Sequence, residues 1–375
     1  MKNIPSYISQ NQNLLLSTLR DLCAIPAPSG NEHKRAEYCL NWLKNAGLTD
    51  VYVDQTLNVV CPINCNTSQN ITVVAAHTDT VFPDVDFMPV MQDKTKVYSP
   101  GVGDNTASLA VLLLTAKYFA EYDIKPKDGI IFLCNSCEEG LGNLKGTKQL
   151  FSDFKGRIKQ FISLDTNLNK IANRCVGSHR YKVTVTAQGG HSYLAFGNTN
   201  ALAQLSKIVT DIYKIQIPQK ANTKTTYNVG IIQGGTSVNT IPQTAFMLCE
   251  YRSNDIECLN YMEAEFNRIF AETASNGITV SAERIGERPC MGDIDILKVD
   301  NLCQKCKSVI EPIIGREVTY ISSSTDCNIP LSLGVPAACI GVYYGDGMHT
   351  REEWVEKSSL PIGLEVCIKT LLALI

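Results

Sequence analysis

An apolar run that stops on a histidine constrains this chain more than any other stretch. Val73-Val74-Ala75-Ala76 leads directly into His77-Thr78-Asp79. Small and β-branched apolar residues in a short run, with no turn former among them, read as a buried strand. Open α/β sheets place their ligand sites at the carboxyl ends of such strands. Alternate side chains of a strand share a face. A histidine and an aspartate two apart can therefore work together, the imidazole toward a metal and the aspartate fixing the ring from behind. Alone, a His-x-Asp at a strand end is ordinary loop chemistry, so its meaning depends on partners elsewhere.

Further strands are expected at 51–54, 58–63, Gly129 to Asn135, Phe161 to Leu164, Val318 to Ile321 and Ala337 to Val342. Between them lie helical patterns at 10–24, Asn105 to Tyr122, Leu144 to Phe151, Ile294 to Ile310 and from Pro361 onward. Ser29-Gly30-Asn31-Glu32 matches a capping box for a helix reaching about Asn45, with Gly47 as its stop. Apolar strands alternating with helices specify a doubly wound, mostly parallel sheet covered on both faces. The texture changes near Asn173. Tyr181 to Ala187 alternates apolar and polar residues, so one face should be wet. The order from there is β-α-β-β-α-β, the pattern of a ferredoxin-like α+β unit. The expected organisation is a discontinuous domain of residues 1–175 and 288–375, interrupted by an inserted domain of 176–287.

Composition excludes several classes. The 375 residues are 44% hydrophobic and 19% charged with a net charge of −3, an ordinary globular balance. No basic patch suits nucleic acid and no basic amphipathic helix suits a membrane surface. The opening residues lack an apolar signal core, and the apolar stretch around Leu109 to Leu114 is too short to span a bilayer. A cytoplasmic location is expected. The 15 cysteines are odd in number and sit in apolar runs, as reduced buried thiols do. The pairs Cys134/Cys137 and Cys303/Cys306 have zinc-like spacing but lie in a strand and a helical pattern, so they read as coincidence and not as a zinc ribbon.

Acidic residues and histidines recur where the strands of the large domain end. Asp104 precedes the apolar helix, Glu138 and Glu139 follow the strand ending at Asn135, Asp165 follows Leu164, and His349 follows Val342 after a short glycine loop. In a doubly wound sheet these ends converge on one crevice. His77, Asp104, Glu139, Asp165 and His349 make five nitrogen and oxygen ligands without a thiolate, which suits Zn²⁺, with Co²⁺ or Mn²⁺ as alternatives. Five exceed one open zinc site and fit two metals with a bridging carboxylate. Of two adjacent glutamates, one can ligate while the other serves as general base. Each residue has a plainer role open to it: Asp104 could cap a helix and Glu138-Glu139 could be solvated surface. Gly101-Val102-Gly103 is not a dinucleotide loop, since no strand precedes it and a third glycine is missing.

His77-Thr78-Asp79, Gly103-Asp104-Asn105, Glu138-Glu139-Gly140, Asp165 and Gly347-Met348-His349 resemble the metal-site motifs of the dizinc exopeptidase and aminoacylase family. That family includes peptidase T, glutamate carboxypeptidase, acetylornithine deacetylase and succinyl-diaminopimelate desuccinylase. The resemblance covers nearly the whole chain. It implies two Zn²⁺ per subunit, one held by His77 and Asp165, the other by Glu139 and His349. It implies Asp104 as the bridge, with an unusual cis peptide after it, Glu138 as general base, and Asp79 as an orienting residue that touches no metal. It also implies that the inserted domain is a lid and dimerisation domain, with a homodimer expected. Within it, His191 in Gly189-Gly190-His191-Ser192 would polarise the scissile carbonyl, and Asn239 and Arg252 would grip a substrate carboxylate. An oxyanion donor and a guanidinium suit those tasks chemically.

The segment from Gly190 to Ala201 resembles peptidase-T-like members, although Asn105 stands where some relatives carry a second aspartate. The expected function is a metal-dependent exopeptidase for small peptides, a peptidase-T-like aminopeptidase or tripeptidase. An N-acyl- or N-carbamoyl-amino-acid amidohydrolase with the same chemistry is the alternative, and a non-catalytic metal-dependent peptide-binding protein is a remote one.

Overall fold

The computed structural model describes residues 3–66, 68–275 and 277–375. The chain divides into two compact units: one runs to Cys175 and resumes at Asp293–Ile375, the other is Val176–Gly292. The return falls five residues beyond the expected 288, because Cys290 packs into the core of the second unit.

The first unit is built on an eight-stranded sheet. Its spatial order is Tyr52–Val53, Val59–Ile63, Gly129–Asn135, Ile71–His77, Ile158–Leu164, Ala337–Ile340, Lys170–Cys175 and Thr319–Ser323. The four strands from Gly129–Asn135 to Ala337–Ile340 run parallel to their neighbours, and antiparallel pairs flank them. Every residue of Ile71–His77 and Gly129–Asn135 is buried, which requires cover on both faces. The helices Ile4–Ala24, Ser108–Glu121 and Ile296–Ile314 pack on the C-terminal helix Ser359–Leu374. Leu109, Leu112, Leu113 and Leu114 are fully buried, each worth about 1.5–3 kcal/mol relative to exposure.

Two local expectations change. The helix expected from Asn105 begins as a regular α-helix only at Ser108. Before it, Val102–Ala107 forms a wider turn that is non-helical at Asp104 and Asn105, with a cis peptide between them. The helix expected after the capping box is His33–Asn45, and no side chain caps it. Ser29 is drawn instead to a buried carboxylate, described below.

A small second sheet was not legible as strands. Gly345–Asp346, Trp354–Glu356, Lys96–Tyr98 and Met91–Gln92 pair antiparallel in that order. It joins segments about 250 residues apart in sequence.

The second unit has a four-stranded antiparallel sheet in the order Thr225–Gly234, Thr244–Ser253, Gly177–Thr186 and Thr279–Arg288. Its helices are Ala201–Ile212, capped by the Asn200 side chain, and Ile256–Thr273, capped by Asp255. Tyr181, Val183 and Val185 share one face with Leu205, Ile208 and Phe266 in the core, while Lys182 and Thr186 on the alternate face are exposed. This is the ferredoxin-like arrangement read from the alternation. Among the described residues no helix is long and apolar enough to cross a membrane. All 15 cysteines are free thiols and buried.

Candidate metal centre

His77 ends the central strand in register with Asn135 of its parallel neighbour. Its Nε2 lies 3.0 Å from Asp104 Oδ1. His349, from the loop between the strands Gly345–Asp346 and Trp354–Glu356 of the small sheet, brings its Nε2 to 3.1 Å from the other oxygen, Asp104 Oδ2, and to 3.4 Å from Glu139 Oε1. One buried carboxylate thus stands between two imidazoles. Ligand atoms of His77, Asp104 and Glu139 all fall within 4.8 Å of one another. The backbone of His349 has φ +65°, an uncommon conformation for a residue with a side chain and one that recurs at functional sites.

Asp165 follows the parallel strand Ile158–Leu164, its N–H bonded to the Ile340 carbonyl. Asn105 donates to the Leu164 carbonyl at 2.8 Å, tying the Asp104 turn to that strand end. Burial, reinforced by the charges of Asp104 and Glu138, holds the Asp165 carboxyl well above its ordinary range.

The charges are mutually compensating. Burial opposes ionisation of the His77 ring, but Asp104 and Asp79 outweigh it and raise its pKa well above the ordinary value. Burial likewise opposes the Asp104 charge, and the two imidazoles overcome it, lowering its pKa. Burial and Asp104 push Glu139 up to about 7. Asp104 and Glu139 raise His349 to about 10. Glu139 Oε1 is buried and has no well-formed hydrogen bond, with His349 Nε2 3.4 Å away. Two imidazole Nε2 atoms, a shared carboxylate and an oxygen without a well-formed hydrogen bond form a nitrogen and oxygen donor set that divalent metals would satisfy.

Asp79 stands behind His77, but the closest contact to Nδ1 is its main-chain oxygen at 3.0 Å, with carboxylate Oδ1 at 3.4 Å. The carboxylate is directed elsewhere. Oδ1 accepts from the Glu138 N–H at 2.9 Å, and Oδ2 accepts from the Glu139 N–H at 2.8 Å and the Ser29 hydroxyl at 2.5 Å. Ser29 therefore serves the site and not a helix cap. Glu32, its supposed capping partner, accepts from the N–H of Cys137 at 3.0 Å. Glu138 is buried at the head of this loop.

Two residues went unnoticed in the sequence. Glu353 is buried and accepts from the N–H groups of Gly101, Gly103 and Asp104 at 2.8–2.9 Å. It fixes the turn that presents Asp104. Asp326 is buried and accepts from Asn135 Nδ2 at 2.7 Å and from Thr147 Oγ1 at 2.5 Å, and its carboxyl is pushed up to about 7 by burial and by the charge of Glu138. Glu353 lies in Arg351-Glu352-Glu353 and Asp326 after a serine run, both of which read as solvated loops.

In the second unit, His191 pairs with Thr240. Its Nδ1 accepts from the N–H groups of Tyr193 and Leu194 at 3.3 and 3.4 Å, which leaves Nε2 as the protonated nitrogen. Ser192 N–H bonds to the Asn239 carbonyl. Arg252 gives Nε and Nη2 to Glu250 at 2.7 and 3.0 Å, so a substrate carboxylate would meet Nη1 or compete with Glu250.

The sequence profile of Peptidase family M20/M25/M40 matches residues 73–373. The chain is 25% identical over 342 residues to a succinyl-diaminopimelate desuccinylase of Corynebacterium glutamicum, covering 88% of this chain and 89% of that protein. A tripeptidase from Staphylococcus aureus superposes with a TM-score of 0.76 at 22% identity, over 97% of this chain and 99% of its own. The aminopeptidase PepT of Bacillus cereus does so with 0.74 at 20% identity, over 97% and 98%.

Proposed function

Because the chain belongs to Peptidase family M20/M25/M40, a family of metal-dependent hydrolases, we propose that it cleaves an amide bond beside a free terminus of small peptides, as a peptidase-T-like aminopeptidase or tripeptidase. The observation that carries this reading is the Asp104 carboxylate shared between the Nε2 atoms of His77 and His349. In the proposal His77 and Asp165 hold one metal, Glu139 and His349 the other, and Asp104 serves both; zinc is the expected ion, with cobalt or manganese as alternatives. Divalent ions held there would polarise the scissile carbonyl and lower the proton affinity of water.

Glu138 accepts the proton of the attacking water as its oxygen bonds to the carbonyl carbon, then returns that proton to the amine nitrogen as the C–N bond breaks. Its backbone is held by Asp79, which sets where the carboxylate starts. His191 offers its Nε2 proton to the developing oxyanion, and Asn239 and Arg252 receive the terminal carboxylate. The unit Val176–Gly292 serves as lid and as the contact of a homodimer. The open edge of Thr225–Gly234, with Ile231 and Ile232 exposed, supports that role, and light scattering checks it.

The likeness to a desuccinylase favours a second reading, an N-acyl-amino-acid amidohydrolase with the same machinery. A side-by-side assay of tripeptides, dipeptides and N-acyl amino acids with added metal separates the two. For either, Glu138→Gln should retain metal and lose about 10²–10⁴-fold in rate; near-normal turnover in that variant defeats the mechanism.

A further inference from the structure

Large apolar side chains are left in solvent beside the residues of the proposed site. In the first unit Leu141 is 56% exposed two residues after Glu139, and Met348 is 45% exposed immediately before His349. Val81, two residues after Asp79, is also exposed. These three segments are bonded together. Glu139 N–H binds the Asp79 carboxylate, and Arg351 pairs with Asp84 at 2.8 Å, joining the loop after Asp79 to the loop of His349. In the second unit, taken by itself, the same pattern recurs: Leu194 and Phe196 follow His191, and Val238 precedes Asn239, all strongly exposed. A single exposed leucine needs no explanation. Recurrence at each chemically marked loop does, since each would gain by burial against an apolar ligand.

Charge narrows the ligand. In the first unit, residues 80–91, 140–144 and 345–350 contain no lysine or arginine, but do contain Asp84, Asp86 and Asp346. Lys145 and Arg351 border these loops, and Arg351 is already paired with Asp84 and lies over the Phe82 ring. A carboxylate on the substrate side chain or acyl group would meet like charge from Asp84, Asp86 and Asp346 on these loops.

We propose that Leu141 and Met348 are specificity-determining residues that receive the side chain flanking the scissile amide. The preferred substrates are then peptides with apolar residues at that position, and not acyl groups bearing a carboxylate. This rests on the peptidase reading above.

The metal-loaded enzyme is assayed on Leu-Gly-Gly, Gly-Gly-Gly, Glu-Gly-Gly and N-succinyl-alanine, alongside Leu141→Ser, Met348→Ser and the control Leu297→Ser, at an exposed helix position. The enzyme should prefer the leucyl over the glycyl peptide by about tenfold or more in kcat/KM, the worth of a well-buried methylene or two, with the glutamyl peptide below both. Leu141→Ser and Met348→Ser should each shrink that preference by about threefold or more, mainly through KM, while Leu297→Ser leaves it in place. Peptide turnover without a leucyl preference overturns this inference alone. So does a preference unmoved by either variant, including the case where light scattering shows that the variant has only altered assembly. Turnover of N-succinyl-alanine with none of the peptides overturns the peptidase reading and this inference with it.

Discussion

The backbone N–H of Glu138 donates to Asp79 Oδ1 at 2.9 Å. Asp79 comes from the central strand's end and Glu138 from the loop after the neighbouring strand, so this bond fixes the proposed base relative to His77. Asp79→Ala would strand the N–H groups of both Glu138 and Glu139 at about 1–3 kcal/mol each. Urea unfolding should show a loss of about 2–5 kcal/mol, and metal titration a roughly 10–100-fold weaker affinity. Asp79→Asn, which keeps one acceptor oxygen, should be milder on both measures.

Glu353 accepts from three main-chain N–H groups around Asp104. A glutamine there has one acceptor oxygen and turns an NH₂ toward donors. Glu353→Gln should lower stability by about 1–3 kcal/mol and turnover by about tenfold or more. Gly103→Ala places a Cβ 2.9 Å from both Glu353 Oε1 and Tyr343 Cε2 and should act in the same direction. Because they disturb one contact, the double variant should lose less than the sum of the singles, as a double-mutant cycle would measure.

His349 is half-exposed and reaches Asp104 and Glu139 from the solvent side. His349→Ala should lower the thermal stability of the metal-free protein at neutral pH, since Asp104 and Glu139 lose their imidazolium partner, and reduce bound metal from two ions to one per chain, measured by elemental analysis. Two tightly held ions in that variant would remove His349 from the ligand set.

The metal-free protein should weaken as the pH rises. Burial, with Asp104 next in importance among the charges, pushes Glu139 and Glu353 from 4.5 up to about 7, and burial with Glu138 pushes Asp326 from 3.8 to about 7. His349 is raised from 6.5 to about 10, first by its bond to Asp104. Each folded pKa exceeds its unfolded value. Their contribution is complete below the unfolded value and lost as the pH passes the folded one. Cations at the site relieve the crowded carboxylates and need deprotonated ligands. The gap in Tm between metal-loaded and chelator-treated protein should therefore widen from pH 5.5 to 8.5, and a constant gap would contradict the assignment.

Much of this was readable because buried parallel strands announce themselves as unbroken apolar runs, and site residues follow where those runs stop. His77, Glu139 and Asp165 obey that rule, whereas Asp104 stands in the turn before a buried helix. What was not readable depends on tertiary competition. Ser29 and Glu32 have capping-box spacing, yet the Asp79 carboxylate and the Cys137 N–H are their partners. Glu353 sits in a charged run that looks solvated until three amides are seen converging on it. The small sheet comprises strands of two or three residues, too short to show a period. No pattern announced that Arg252 would share two of its donors with Glu250, a same-face neighbour two residues away.

That small sheet also bears on the order of synthesis. It unites the turn at Asp104 with Glu353, 249 residues further along the chain. A nascent chain that has emerged only to residue 345 already holds His77, Asp104 and Glu139, but neither His349 nor the carboxylate that shapes the Asp104 turn. On the proposed ligand set, the centre is therefore complete only once the segment carrying His349 and Glu353 has joined the turn at Asp104.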